Sequence, residues 1–126
     1  MATAPYSLAP ERSDPPIGRG DSYTFAWTLT DADPDGEPIK IGSNIVDITF
    51  QANGTFDGAT LVIEGSNDVE SWLPHTNLDG AAMSYDTAPT SLQAPRELGR
   101  RIRPNSSGGG GAQSIVVTAT LRIANY

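Results

Sequence analysis

QSIVVTATLRIA, residues 113–124, alternates without a break: Ile115, Val117, Ala119, Leu121 and Ile123 fall on one face, Val116, Thr118, Thr120 and Arg122 on the other. Successive side chains of a strand point to opposite faces, so this is the pattern of a strand buried on one side. Two earlier stretches repeat it. In DSYTFAWTLT (21–30), Tyr23, Phe25, Trp27 and Leu29 oppose Ser22, Thr24, Thr28 and Thr30. In IVDITFQA (45–52), Val46, Ile48, Phe50 and Ala52 oppose Asp47, Thr49 and Gln51. Leu61-Val62-Ile63 within ATLVIEGS (59–66) is a further strand, apolar on both sides.

Shorter strands are expected around Trp72, over AAMSYDT (81–87) and in RRIRP (100–104), the last ended by its proline. Asn53-Gly54, Asp57-Gly58, Asn67-Asp68 and Asp79-Gly80 are turn signals. SSGGGG (106–111) has nothing of its own to order it and reads as a mobile loop joining two antiparallel strands. Nowhere do apolar residues recur at helical spacing over ten positions. About seven strands with turn signals between them describe an all-β domain, a β-sandwich or jelly-roll-like barrel over residues 21–126.

The first twenty residues, MATAPYSLAPERSDPPIGRG, read as a separate extended arm, because Pro5, Pro10, Pro15 and Pro16 exclude a helix. Tyr6, Leu8 and Ile17 are its apolar anchors. Such an arm is either a free tail or a strap laid on a neighbouring subunit. Its removal is expected to weaken assembly and leave the melting temperature nearly unchanged.

Length and charge bound the function. A chain of 126 residues can enclose one core without staples, and it has no cysteine. No apolar run reaches the roughly 20 residues that span a bilayer, and residues 1–20 lack a secretory leader, so neither a membrane partner nor export is expected. The net charge of −7 argues against nucleic acid as a partner. The charge is also uneven: residues 1–86 hold fourteen acids against Arg12, Arg19 and Lys40, whereas residues 87–126 hold Glu97 against five arginines. Asymmetry of this kind can orient copies of a chain, or a partner.

No constellation for catalysis emerges, and an enzyme is not expected. A nucleophilic triad needs a base, and the one histidine, His75, lies between Pro74 and Thr76, away from any serine elbow. One histidine without cysteine also leaves few zinc ligands. Asp31, Asp33 and Asp35 before Gly36 resemble the first half of a calcium loop, but its twelfth position is Gly42 in place of a bidentate acid. An acidic, proline-stiffened turn in solvent is the plainer reading. No cofactor is expected. The densest positive feature is Arg96, Arg100, Arg101 and Arg103, with Arg101 and Arg103 on one strand face opposite Ile102. An anion site, a nucleic-acid patch and an interface ion-pair network all fit; in an acidic chain, pairing with the acidic region of an adjacent copy is the most economical. Trp72 is a candidate cation–π anchor, with core packing as the plainer fate.

Gly54-Thr-Phe-Asp-Gly-Ala-Thr-Leu-Val-Ile-Glu-Gly-Ser-Asn-Asp68, followed by Trp72, Leu78-Asp-Gly80 and Met83-Ser-Tyr85, resembles one hairpin of the small virion proteins of tailed bacteriophages. A second hairpin is matched by Ala94-Pro-Arg96, Arg101-Ile-Arg-Pro104, the glycine run and Ser114-Ile-Val-Val-Thr-Ala-Thr-Leu121. The resemblance covers about residues 54–121. It implies a capsid decoration (cement) protein: a homotrimer bound to the major capsid protein, made in the host bacterial cytoplasm and resident in the virion. The alternative within such particles is a tail or head-fibre component that binds a carbohydrate or other receptor. The arm and the acidic 31–37 loop lie outside the pattern, and Val69 replaces its glycine. The expected contacts with partners are therefore Tyr6, Leu8 and Ile17 of the arm, with Arg96, Arg100, Arg101 and Arg103.

Overall fold

Leu29, Ile115 and Val117 have no exposed surface at all, because the alternating strands that carry them turn their apolar faces onto a second sheet. The computed structural model describes residues 3–11, 21–42, 45–68 and 70–123. Among them there is no helix, and the chain forms an all-β sandwich of two sheets. The four-stranded sheet has the order β2 (Tyr6–Glu11), β3 (Asp21–Leu29), β11 (Ser114–Ile123), β6 (Ile45–Thr55), antiparallel throughout. Its inner face contributes Phe25, Trp27, Leu29, Ile48, Phe50, Ala52 and the apolar row of β11.

The opposing sheet is built on β10 (Arg101–Ser107) and β7 (Thr60–Ser66), antiparallel from Arg101↔Ser66 to Ser107↔Thr60. Short strands extend it: β4 (Asp35–Gly36) and β5 (Ile39–Lys40) flank β10, and β8 (Leu73–Pro74) and β9 (Ser84–Tyr85) flank β7. β1 (Thr3–Ala4) adds to β4 in parallel. Leu61, Ile63, Ile102 and Met83 complete the core.

Several local expectations change. β6 runs through Asn53-Gly54, paired to β11 at Val116↔Asn53 and Ile115↔Gly54. Glycine is needed there for another reason: φ is +104° and a Cβ would stand 2.2 Å from the Ser114 carbonyl oxygen. The reversal comes at Asp57-Gly58, both with positive φ, closed by Ala59 N–H donating to the Phe56 carbonyl at 2.9 Å. Within the first resembling segment β7 does fold back as a hairpin, pairing antiparallel with β8 at Glu64↔Pro74 and Gly65↔Leu73, whereas the β6–β7 and β10–β11 connections are not hairpins. β6 and β7 belong to different sheets, as do β10 and β11, so both connections cross the sandwich. The glycine run between β10 and β11 is ordered from outside: Gly110 N–H donates to the Asp57 carbonyl at 3.1 Å and Ala112 N–H to Asp57 Oδ2 at 3.1 Å. Buried Gln113 fixes its end, donating to Ser106 Oγ and the Leu29 carbonyl.

Pro104 does not end its strand. The partner of β10 changes register there, from Ile102↔Ile39 to Asn105↔Asp35, so the missing N–H falls where the neighbouring strand is interrupted. The N-terminal segment is extended, as read, but it is built into both sheets. β2 pairs with β3 from Tyr6↔Trp27 to Glu11↔Ser22, and Glu37 N–H donates to the Ala4 carbonyl at 2.8 Å.

Candidate interaction site

β7 and β10 are neighbours in the sheet yet are joined by residues 67–100, and this long excursion carries four of the five exposed large apolar side chains among the described residues. Leu73, Leu78, Leu92 and Leu98 are 70, 71, 62 and 44 % exposed. The excursion is nevertheless tied down by polar side chains acting on backbone. Asp68 Oδ1 accepts from the N–H groups of Ser71 (2.8 Å) and Glu70 (2.9 Å), which, with the Ser66 hydroxyl, hold its carboxyl below the usual range. Asn77 Oδ1 accepts from Asp79 and Ala81 at 3.0 Å each, and Asn67 Oδ1 from Arg100 N–H at 3.0 Å. Glu97 Oε1 accepts from Thr76 N–H at 3.0 Å, the chief reason its pKa is lowered, with help from His75 and the Thr76 hydroxyl.

The excursion also shields sheet edges that would otherwise invite pairing. Gln93 exchanges two backbone hydrogen bonds with Phe50 of β6, and Ile63 of β7 bonds to Met83 and His75. His75 is 4 % exposed. Its Nδ1 lies 3.4 Å from Glu97 Oε1, and its ring packs so closely on Gly65 that a Cβ there would sit 2.4 Å from Nε2. The histidine is thus a packing element. An open groove of roughly 220 Å³ lies beside it, lined by Gly65, Ser66, Asn67, Asp68, Ser71, Leu73 and Gly99.

The arginines separate into two groups. Arg101 and Arg103 are half-buried on the outer face of the seven-stranded sheet, with Ile102 turned to the core. Arg103 Nε donates to buried Glu64 at 2.7 Å, and its guanidinium carbon lies 4.1 Å from the centre of the Trp72 ring. Trp72 is therefore the cation–π partner, on the outside of the sheet, and is not in the core. Arg96 and Arg100 are exposed on the excursion, Arg100 immediately before β10.

The N-terminal anchors fare differently. Tyr6 is spent within the chain, edge-on to Phe25 at 4.9 Å and to Trp27 at 6.2 Å, with its N–H donating to Glu37 Oε1. Leu8 is 51 % exposed. Ile17 lies outside the described residues. Asp31, Asp33 and Asp35 border β4, and among the described residues no group of three or more His, Asp and Glu is placed to hold a metal ion.

Glu64, Lys40 and the four leucines were not singled out from the sequence. Strand pairing alone brings Glu64 and Lys40 to the arginines, and the leucines stand singly among turn residues with no period to mark them. No protein-family model matches this chain, and neither a curated protein nor a solved structure does.

Proposed function

We propose that this chain is a bacteriophage virion structural protein, a capsid decoration protein that binds the major capsid protein as a homotrimer and stabilises the head. The observation that carries this reading is the set of four exposed leucines on one hydrogen-bonded excursion, bordered by Arg96 and Arg100. Solvent-facing apolar side chains on a pre-ordered loop are suited to docking, because little conformational entropy remains to be lost. The resemblance of residues 54–121 to small phage virion proteins supplies the setting. A subunit added to a finished shell needs rigid complementary surfaces and a protected core, and it needs no reaction centre.

Purified protein added to decoration-free shells of its phage should saturate them at a ratio set by the lattice. Leu78→Ser with Leu92→Ser should lower shell affinity about ten-fold or more, since anchor residues dominate interfaces. Melting should barely move, because both side chains stand in solvent. Unsaturable binding, or full affinity in the double variant, would remove this reading.

A further inference from the structure

Lys40 and Arg101 lie directly opposite each other in register, on the outer face that also carries Arg103. Like charges directly opposite each other disfavour pairing. Among the described residues no carboxylate contacts either side chain, although the chain carries fifteen acids. Arg103 spends only its Nε–H on Glu64, and Trp72 holds its guanidinium flat, so its terminal N–H groups remain to be used. The result is a cationic shelf on a negatively charged molecule.

The opposite imbalance sits at the far end of the same face. Asp35 pairs in register with Asn105, four residues along β10 from Arg101, and Asp31 and Asp33 precede it in the turn. None of these three carboxylates meets a basic side chain among the described residues. Four residues of strand are roughly 13 Å, longer than the screening length of about 8 Å in physiological salt. Lys40 and Arg101 are therefore too far from Asp35 to be neutralised by it within one chain.

We propose that this face is a contact between copies of the chain, in which Lys40, Arg101 and Arg103 of one copy receive Asp31, Asp33 and Asp35 of the next. Charged forks meeting carboxylates around a rigid Trp–Arg centre have the composition of an interface hot spot. A base at one end and an acid at the other suit head-to-tail contacts, which close into a ring when the rotation allows. The contact goes beyond shell docking and is made by charged side chains rather than by the leucines; it rests on the proposed homotrimer for its stoichiometry alone.

The test is sedimentation of the full chain in low and high salt, with Lys40→Glu/Arg101→Glu and Asp31→Lys/Asp33→Lys as separate variants. The wild type should associate in low salt and dissociate in high salt. Each variant alone should associate about ten-fold or more weakly, and an equimolar mixture should recover association, because one variant's shelf and the other's turn still meet correctly in sign. Circular dichroism and melting of each variant exclude misfolding as the cause. A wild type that stays monomeric at its solubility limit overturns the contact, as does a mixture no better than its components. Shell saturation is read separately: a chain that decorates shells without self-associating overturns this contact and leaves decoration standing, and a self-associating chain that ignores shells does the reverse.

Discussion

Gly65 and His75 form a pair in which one residue's lack of a side chain makes room for the other's ring. His75 is 4 % exposed, so its ring cannot move outward without opening the core, and the Arg101 carbonyl oxygen stands 3.2 Å from where a Cβ would lie. Gly65→Ala should therefore destabilise the fold by ~1–3 kcal/mol, the usual cost of overfilling a packed site. His75→Ala removes the obstruction and leaves a cavity in its place. The two costs should fall short of adding, because each substitution relieves what the other creates. Urea unfolding of the two single variants and the double variant measures this; strict additivity would show that the ring and the glycine do not constrain each other. The same geometry fixes the position of the histidine, which is packed on a bare stretch of β7.

At the level of the element, the N-terminal segment is the clearest departure from what its proline-rich sequence suggests. Thr3–Ala4 adds to one sheet and Tyr6–Glu11 to the other, so the first residues stitch both sheets along one side. Tyr6 covers Phe25 and Trp27, whose indole N–H donates to the Glu37 carbonyl at 3.0 Å. Deleting residues 1–11 should lower the melting temperature by several degrees, since ~2 kcal/mol or more of aromatic burial is lost, and should shift tryptophan fluorescence to the red as Trp27 meets water. An unchanged melting temperature would mean that this strand contributes nothing to the core. Polyproline-like backbone and an edge strand share their dihedral range, so composition alone could not distinguish an arm from a strand. The long strands were legible for the opposite reason: in β3, β6 and β11 the period of two is unbroken. What the sequence hid was pairing between distant segments. The registers Arg103↔Glu64 and Arg101↔Lys40 depend on topology, and a tight-turn dipeptide at Asn53-Gly54 is indistinguishable by composition from a twisted strand.

Over the whole molecule, charge makes stability depend on pH in two opposed ways. With a net charge of −7, acidification from neutrality toward the isoelectric point near 4.4 relieves self-repulsion and favours the compact state. Specific carboxylates act against this at lower pH. The Arg122 guanidinium, hydrogen-bonded to Asp47 across β11 and β6, holds the Asp47 carboxyl below its usual range, and the Thr76 N–H does the same for Glu97. A group whose folded pKa is depressed contributes stability above its unfolded value, and that contribution is lost as pH falls through the folded value. Melting temperature should therefore hold steady or rise from neutrality to about pH 4.5, then fall below about pH 4, where free carboxylates protonate. Both groups are largely exposed, so each makes a small step. The consequence for function is local. Glu97 ties Thr76 to the far limb of the 67–100 excursion, so acid should loosen the segment that presents Leu73, Leu78 and Leu98 before the sandwich itself opens. Amide exchange at Thr76, corrected for the intrinsic rate at each pH, should quicken below pH 4 in the wild type. In Glu97→Gln it should start faster and respond less, because the group that titrates is gone. Equal acid responses in the two proteins would assign the loosening to other carboxylates and leave Glu97 without a part in holding the leucine-bearing excursion.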